Sequence, residues 1–330
     1  MNKIIGITMG DPSGIGPEVI LKSFLNKKIK LGKYLVIGDY EVIAFYNKKL
    51  NLNVKLENIS NYEEINNSTE TLSVLNLGLV EIKNLKIGEV NLSSGNAAFQ
   101  YLKKAIELAM DGKISGIVTA PLNKEAINKA GHHYSGHTEI LAHYTSTKDY
   151  AMLLYDEKLS TIHVSTHVSL KEAIERTKKE RIETVIELAD KTFKKLGFKN
   201  PRIAVAGLNP HSGENGLFGM EEIDEIIPAI KSSRSKKINV EGPIPPDTVF
   251  LKATKGNYDV VVSMYHDQGH VPLKLLGFHS GVNITVGLPI VRTSVDHGTA
   301  FEIAGKNVAN EESMVNAINL AHQLSNDLVH

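Results

Sequence analysis

Three histidines, each directly after a strand-like run, are the residues of this sequence best suited to metal chemistry. His167, His211 and His266 occur in Ser-Thr-His, Asn-Pro-His-Ser-Gly and Tyr-His-Asp-Gln-Gly contexts, which are polar and favour loops. In open parallel sheets, ligands bind where strands end and helices begin. Three imidazoles that converge there can hold a divalent ion and leave a coordination position for substrate. We therefore predict a metal site at these histidines, although each alone has the pattern of a surface residue.

Two aspartates accompany the histidines. Asp247 lies in the run GPIPPDTVF, and Asp267 follows His266 directly. Either carboxylate can support the metal, orient a histidine ring or accept a proton. For Asp247 the competing structural role is an N-terminal helix cap.

The other histidines lack such a pattern. His163 has helical metal-ligand spacing to His167, but the run IHVSTH is β-branched and favours a strand, so this pair is discounted. The rest are interpreted as surface or structural residues: His132, His133, His143, His279, His322 and His330.

A second set of residues is typical of a phosphate site. Gly136, His137 and Thr138 stand at the start of a predicted helix, where backbone N–H groups favour anions. Lys274 follows the YHDQGH run, and Arg292 follows a strand-like segment and a Gly-Leu-Pro turn. Lysine binds phosphate as a point charge and arginine as a bidentate fork. Each is also typical, alone, of a surface ion pair.

The loop TMGDPSGIGPE, after the first strand-like run, is rich in glycine. Its glycines, Gly10, Gly14 and Gly16, match neither the Walker A spacing nor the GxGxxG spacing. Pro17 and Glu18 suit the first turn of a helix. The loop either lines a ligand-binding cleft with its backbone or makes a tight strand-to-helix connection.

The run SVDHGTAFEIAGKNVAN, residues 294–310, contains a turn followed by a short helical stretch with Glu302 near its start. A carboxylate there can accept hydrogen bonds from the ribose hydroxyls of an adenosine. It would repel a 2′-phosphate, so it favours NAD over NADP.

Short β-branched runs alternate with amphipathic helical patterns along the chain, which predicts an α/β fold around a largely parallel sheet. The strand-like runs are 4–8, 34–37, 116–119, 161–165, 202–206, 260–264 and 283–286. Helical spacing of apolar residues predicts helices over 97–109 and 181–196.

Composition limits the function classes. The 330 residues include 37 basic and 37 acidic residues, and this balance gives no reason to expect nucleic acid or an anionic membrane as partner. The absence of cysteine excludes disulfides and thiolate metal sites. No apolar run approaches the length of a signal peptide core or a membrane span, so we expect a cytoplasmic protein.

The motifs together resemble those of the 4-hydroxythreonine-4-phosphate dehydrogenase family of vitamin B6 synthesis. The resemblance covers about residues 4–323 and rests on motifs in this order: TMGDPSGIGPE, TAPLNKEA, GHTE, STH, NPHSGENG, PPDT, YHDQGH, GVNIT and RTSVDHGTA. GDPSGIGPE and HGTAFEIAG also resemble the wider isocitrate and isopropylmalate dehydrogenase superfamily.

This resemblance implies two α/β/α-sandwich domains with a cleft between them, and a homodimer whose active sites lie at the subunit interface. We expect an NAD-binding domain over 1–125 plus 285–330 and a substrate, metal and dimerisation domain over 126–284. The implied metal ligands are His167, His211 and His266. The implied substrate-binding residues are His137, Thr138, Lys274, Asn283 and Arg292. The expected cofactor positions are Gly10, Asp11, Gly14, His297, Gly298, Thr299 and Glu302.

The implied reaction is NAD-dependent oxidation of a secondary hydroxyl, followed by decarboxylation of the β-keto acid. A divalent ion (zinc, cobalt, manganese or magnesium) would lower the pKa of the hydroxyl and polarise the ketone. The catalytic candidates are Lys124, Asp247 and Asp267, and the sequence leaves the choice of proton carrier open between Lys124 and Asp247.

The substrate is open between two branches of the family. In B6 synthesis 4-phosphooxy-L-threonine gives 3-amino-2-oxopropyl phosphate. Runs such as PLNKEA, DYAMLLY and HDQGHVPLKLLGF, which includes His270, look closer to a catabolic branch. That branch converts D-threonate or D-erythronate 4-phosphate to dihydroxyacetone phosphate. The rival functions are a metal-dependent phosphohydrolase, a phosphate acetyltransferase and a non-catalytic metal or phosphate sensor.

Overall fold

A computed structural model describes residues 3–30, 32–65, 70–277 and 281–325; His279 and His330 lie outside these ranges. The chain divides into two compact units. Unit 1 comprises Met1–Lys148 with Leu288–His330, and unit 2 comprises Asp149–Gly287. The first division therefore falls after Lys148 and not at the expected 125/126.

The strands correspond closely to the β-branched runs, and several strands that the sequence did not predict join them. In the described ranges the strands are β1 (Ile4–Thr8), β2 (Lys33–Gly38), β3 (Lys55–Ile59), β4 (Thr71–Asn76), β5 (Gly116–Thr119), β6 (Ala151–Tyr155), β7 (Thr161–His163), β8 (Ile203–Ala206), β9 (Val240–Ile244), β10 (Val260–Ser263), β11 (Val282–Val286) and β12 (Arg292–Val295).

The helices lie between these strands, as the alternating pattern predicts. They are α1 (Gly16–Leu25), α2 (Tyr40–Lys49), α3 (Leu92–Met110), α4 (Lys124–Lys129), α5 (His137–Tyr144), α6 (Leu170–Arg176), α7 (Lys179–Lys195), α8 (Ile227–Ser235), α9 (Pro246–Thr254), α10 (His266–Gly277) and α11 (Glu312–Leu324). The apolar stripe of α7, including Ile182, Val185 and Phe193, is buried, as the helical spacing predicts.

Unit 1 is built on parallel strands in the order β3-β4-β2-β1-β5-β12. The central strand β1 is flanked by β2 and β5, with Ile5 in register with Tyr34 and Gly116. Ile5 and Ile7 are almost fully buried, as expected for a parallel strand with both faces covered.

Unit 2 has the strand order β11-β6-β7-β10-β8-β9. The pairs β7–β10, β8–β10 and β8–β9 are parallel, whereas β6 is antiparallel to β7 and β11. The prediction of an α/β fold around largely parallel strands is confirmed, and β6 adds a local antiparallel component.

The glycine-rich loop after β1 packs inside unit 1. A Cβ atom on Gly10, whose φ is +69°, would lie 2.3 Å from Pro121 O, and one on Gly16 would lie 2.3 Å from Met9 O. The Asp11 and Ile15 amides donate to Pro121 O and Thr299 O at 2.8 and 3.0 Å. These contacts favour the tight connection over a loop that lines a ligand cleft with its backbone.

Membrane insertion finds no support in the helices. Within the described ranges, none of them combines the length and apolar character that crossing a bilayer demands.

Asp11 is a fully buried carboxyl group in this loop. Its Oδ1 accepts the Ser13 N–H at 2.9 Å, and its Oδ2 has no hydrogen-bond partner among the described residues. Burial raises the pKa of Asp11 to about 7, and the Ser13 N–H offsets part of this increase. The folded protein therefore holds this proton more tightly than the unfolded chain.

Asp11→Asn is expected to remove one pH-dependent contribution to stability. Between about pH 4 and about pH 7, Asp11 is deprotonated in the unfolded chain but still protonated in the folded protein. The free energy of unfolding of the wild type therefore falls as pH rises through this range, by at most about 1.4 kcal/mol per pH unit. Asparagine does not titrate. The difference in free energy of unfolding, variant minus wild type, should increase over this range and level off above it. Urea unfolding at several pH values measures this difference, and parallel profiles would contradict the assignment.

Candidate functional site

Unit 1 places a cluster of nitrogen-bearing side chains next to the paired strands β5 and β12. Arg292 is the first residue of β12 and is only 3% exposed. Its Nη2 donates to Oγ1 of Thr119, the last residue of β5, at 2.8 Å. Burial lowers the pKa of Arg292 to about 9, and the negative charge of Glu139 opposes this decrease. The guanidinium therefore stays cationic at neutral pH.

Two helix starts supply the other groups of this cluster. Lys124 begins α4, where Asn123 Oδ1 accepts the Ala126 N–H at 2.9 Å, and His137 begins α5. Burial lowers the pKa of His137 well below its usual value, and the charges of Arg292 and Lys124 lower it further. A neutral imidazole beside two cations can donate its ring N–H to a bound oxyanion.

Two of the predicted substrate residues, His137 and Arg292, lie close enough to interact electrostatically, and their role stays a prediction. His137 and Arg292 are electrostatic neighbours, and Thr138 follows His137 in the first turn of α5. These α5 residues belong to unit 1, whereas the sequence placed them in the domain over 126–284. Lys274 and Asn283 lie in unit 2, on α10 and β11 respectively.

A pocket in unit 2 brings together two of the three predicted metal ligands. Parallel pairing of β7 with β10 aligns His163 with Ser263, so the segments that follow these strands leave the sheet side by side. His167 follows β7 and His266 begins α10; their ring centroids are 5.7 Å apart. The pocket is lined by Thr166, His167, Val168, Ser169, Leu170, Glu172, Ala173, Tyr265, His266 and Asp267.

Asp267 orients the His266 ring. Its Oδ1 lies 2.6 Å from His266 Nδ1, and because a carboxylate accepts, the ring nitrogen donates. The lone pair of a neutral His266 is then on Nε2, where a metal ion can bind it. Metal-binding histidines commonly have such a carboxylate partner. Of the roles predicted for Asp267, the structure supports the orienting one.

His211 lies on an unusual turn after β8. The five residues His211–Asn215 all have positive φ, from +43° to +81°, and only Gly213 among them is a glycine. Buried Glu222 holds the preceding segment, since its Oε1 accepts the Leu208 and Asn209 N–H groups, both at 2.8 Å. In the described part of the chain, no three His, Cys, Asp or Glu side chains are placed to hold one metal ion. The three-histidine site therefore stays a prediction, with His167 and His266 as the pair that the structure brings together.

The local structure differs from the sequence prediction at two positions. His266 was expected in a loop but occupies the first position of α10. Asp247 is the second residue of α9, whose N-cap is Pro245, so the capping alternative for Asp247 is wrong. Its exposed carboxylate instead lies in the first turn, where the helix dipole favours it.

The segment after β12 in unit 1 has the predicted turn. Ala300 adopts a left-handed conformation, and Phe301–Ile303 form a single 3₁₀ turn that carries exposed Glu302. Gly298 is exposed, and none of the described atoms lies within 4 Å of where its Cβ would be. His297 and Thr299 flank Gly298, so the turn is accessible to a ligand.

Sequence reasoning missed two histidines next to the predicted metal pair. His270 stacks on His266 with ring centroids 3.6 Å apart and an interplanar angle of 13°, and its other neighbour is His163 at 4.7 Å. Burial lowers the pKa of His270 to about 3 and that of His163 to about 4, and neighbouring imidazoles contribute to both decreases. The i, i+4 spacing in HDQGH was the available signal, but Gly269 and Pro272 made the run resemble a loop.

The sequence placed Thr119 and Glu139 within the motifs TAPLNKEA and GHTE but gave them no role beside Arg292, and it gave no signal for Glu222. Among the histidines without a predicted role, His132 has a structural setting. It stacks on Phe99 at 3.7 Å, and its Nε2 is 2.9 Å from Asn96 Oδ1.

Comparison with protein families identifies the chain. The sequence model of the family described as "Pyridoxal phosphate biosynthetic protein PdxA" matches residues 30–321, which is most of the chain. The chain therefore belongs to this family.

The relatives carry two kinds of name. Proteins named D-threonate 4-phosphate dehydrogenase from Pectobacterium atrosepticum and Salmonella typhimurium are each 50% identical to this chain. The alignments cover 98% of this chain and 100% and 99% of those proteins. A crystal structure titled 4-hydroxythreonine-4-phosphate dehydrogenase from Klebsiella pneumoniae is 49% identical, with a TM-score of 0.87, and covers 98% of this chain and 99% of its own. The chain is an enzyme of the dehydrogenase class.

Gly269→Ala is expected to destabilise unit 2 through the packing of α10. A Cβ at this position would lie 2.6 Å from His163 Nε2, 2.8 Å from Ser263 Oγ and 3.1 Å from Thr161 Oγ1. Those atoms are buried, so relief requires a shift of α10 or of the His163 ring, at a cost of about 1–3 kcal/mol in the free energy of unfolding. Urea unfolding measures this loss.

The control for this variant is Leu275→Ala, a truncation on the same helix of a side chain that is 83% exposed. The control should change stability by less than about 0.5 kcal/mol. Equal stability of Gly269→Ala and wild type would show that α10 is not closely packed at this point.

Proposed function

We propose that this member of the PdxA family oxidises the secondary hydroxyl of a four-carbon phosphorylated hydroxy acid with NAD and a divalent metal, and that the β-keto acid then loses carbon dioxide. The observation that carries the proposal is the full-length similarity, at about half of all positions, to dehydrogenases named for such substrates. The two side-chain clusters supply the chemical groups that this reaction requires.

The cluster around Arg292 in unit 1 supports binding of the anionic groups of the substrate. Arg292 offers a guanidinium held in place by Thr119, Lys124 offers a second cation, and His137 offers a neutral imidazole. We assign Thr138, Lys274 and Asn283 to substrate binding as well, on the strength of the family motifs. A buried arginine discriminates strongly for oxyanions, because it pairs with them bidentately in a site of low dielectric.

The pair His167 and His266 fits part of a metal site, since the Asp267 contact leaves Nε2 of His266 as the acceptor nitrogen. A bound divalent ion supplies Lewis-acid chemistry at the substrate hydroxyl and the ketone derived from it. We propose His211 as a further ligand. Its exposed turn, followed by exposed Leu217 and Phe218, supports a homodimer in which a second copy contributes to the site.

Lys124 is the better candidate for the group that carries the hydroxyl proton. It lies in the cluster that we assign to substrate binding, whereas Asp247 is exposed on the first turn of α9 and Asp267 is engaged by His266. On a flexible stem, the neutral amine can accept the hydroxyl proton, and the ammonium group so formed can return this proton to the carbon left by decarboxylation.

Among the predicted cofactor-binding residues, those in the turn after β12 are the best supported, because this turn is accessible to a ligand. Glu302 can accept hydrogen bonds from ribose hydroxyls, and His297, Gly298 and Thr299 border it. Gly10, Asp11 and Gly14 are buried, so we assign them to support of this turn. The Ile15 N–H, for example, donates to Thr299 O, and a Cβ on Gly14 would lie 3.0 Å from Thr299 Cβ.

Of the two substrate branches, we propose D-threonate 4-phosphate as the preferred substrate. The 50% identical relatives bear that name, in line with the HDQGHVPLKLLGF run. 4-Phosphooxy-L-threonine is the second candidate, since the similar Klebsiella pneumoniae structure is titled for that activity.

The first test is NADH formation, followed by absorbance, with purified protein, NAD, and zinc, cobalt, manganese or magnesium supplied in turn. The substrates are D-threonate 4-phosphate, D-erythronate 4-phosphate and 4-phosphooxy-L-threonine. We expect the highest kcat/KM with D-threonate 4-phosphate, and loss of activity with a chelator that is reversed by adding the metal back. Phosphate release independent of NAD would instead indicate a phosphohydrolase, and binding without turnover a sensor.

Arg292→Lys is expected to raise KM about 10- to 100-fold, because lysine keeps the charge but loses the bidentate fork, and a hydrogen bond to a charged group contributes about 1.5–3 kcal/mol. Steady-state kinetics with the preferred substrate measures the effect.

Arg202→Lys is the matched control. Arg202 is exposed and pairs with Asp259 at 2.6 Å, so the KM of this variant should equal that of the wild type. An unchanged KM for Arg292→Lys, in a variant with wild-type thermal stability, would remove Arg292 from the substrate site.

A further inference from the structure

Four imidazoles of unit 2 form a series that runs from the core to the surface. The ring centroids are 4.7 Å apart from His163 to His270, 3.6 Å from His270 to His266, and 5.7 Å from His266 to His167. His163 is fully buried and His270 is 7% exposed, whereas His167 is exposed. The proposed metal-binding pair is thus the outer half of a longer arrangement whose inner half has no assigned role.

The inner end of this series is fixed by the strands. Because a backbone carbonyl can only accept, the 3.2 Å contact between His163 Nδ1 and Met152 O makes Nδ1 the donor. Gly269 brings α10 close to this ring, since a Cβ there would lie 2.6 Å from His163 Nε2. The His163 ring therefore has little freedom to turn.

His270 lies one helical turn after His266 and is constrained on an edge and a face. Its Nδ1 donates to the His266 backbone oxygen at 3.0 Å, which fixes the tautomer and the ring direction. One neighbour of the ring is His163, at 4.7 Å, and the other is His266, stacked at 3.6 Å and 13°. A ring fixed in this way presents a flat, immobile surface to His266.

His266 therefore meets two restraints of different kinds. The hydrogen bond to Asp267 fixes one edge of the ring but allows the pair to swing together, because Asp267 is itself exposed. The stack against His270 restricts that swing by occupying one face of the ring. Interactions that orient a ligand without touching the metal commonly change metal affinity about 10- to 100-fold.

We infer that His270 is a positioning residue for His266: its ring, braced by His163, holds the His266 imidazole in the orientation that presents Nε2 to the metal. This inference rests on the proposed function for the identity of the metal site. The ring stack, and not the backbone hydrogen bond of His270, is the contact that carries the effect.

Two variants separate these two contacts. His270→Phe keeps a flat ring for stacking and loses the hydrogen bond, whereas His270→Asn can keep a donor to the His266 oxygen and loses the ring. Leu275→Ala, on the exposed side of the same helix, is the matched control. Cobalt(II) is titrated into each metal-free protein and its d–d absorption gives the affinity, with no substrate or NAD present. Thermal unfolding of each metal-free protein checks the fold.

We expect His270→Phe and Leu275→Ala to bind cobalt within about 3-fold of wild type, and His270→Asn to bind about 10-fold more weakly. The kinetic counterpart is a higher cobalt concentration for half-maximal activity, with kcat at saturating metal close to wild type. Equal cobalt affinity in all four proteins would overturn the inference, as would a loss in His270→Phe with none in His270→Asn.

The two proposals fail in different ways. If wild type binds cobalt but forms no NADH from any of the three substrates, the proposed reaction is wrong while the affinity series still decides the role of His270. If wild type forms NADH and the affinity series is flat, the reaction stands and the positioning role is wrong. If wild type does not bind cobalt, the positioning role is overturned together with the metal site.

Discussion

The parallel pairing of neighbouring strands is the constraint on which both candidate sites depend. In unit 1 the pairing of β5 with β12 lets the Arg292 guanidinium reach Thr119, and in unit 2 the pairing of β7 with β10 aligns the segments that carry His167 and His266. Parallel strands send all their carboxyl ends to the same edge, which brings together the segments that follow β7 and β10. Residues far apart in sequence therefore meet without any local signal that links them. The register of β7 and β10 thus places His167 and His266 within 5.7 Å of each other, measured between ring centroids.

Close packing against glycine is the second feature that both units share. Gly10 and Gly16 let the loop after β1 pack on the backbone of Pro121 and Met9. Gly269 lets α10 pack on the side chains of His163, Ser263 and Thr161. In each place a side chain would occupy space already filled by protein atoms. Some buried polar atoms near these glycines, among them Asp11 Oδ2 and His163 Nε2, have no hydrogen-bond partner among the described residues. Close packing at these places therefore leaves hydrogen bonds unmade. Such groups make the protein sensitive to pH and to single-methyl changes at positions that touch no substrate.

Much of the architecture could be predicted because buried parallel strands are rich in β-branched residues. The predicted strands over residues 4–8 and 116–119, for example, coincide with β1 and β5. The sequence missed β3, which has polar and half-exposed residues at the end of the strand order, and β9, whose run VEGPI contains glycine and proline. It took the start of α10 for a loop, because Gly269 and Pro272 disfavour a helix locally and only tertiary packing on His163 explains the glycine. For the site, residue type together with a position after a strand-like run selected Arg292, His167 and His266, and a position at the start of a predicted helix selected His137. Partners such as Thr119, Glu139 and His270 matter only through their positions in space, which spacing along the chain does not reveal.

The turn that carries His211 has an energetic consequence of its own. Left-handed backbone costs about 1–2 kcal/mol for each non-glycine residue, so its four non-glycine residues together cost an amount comparable to the net stability of a small domain. Local preference therefore opposes this conformation, and the carboxylate of Glu222, which accepts two amides just before the turn, opposes its release. The position of His211 is thus set by a strained backbone that tertiary contacts, such as those of Glu222, hold in place.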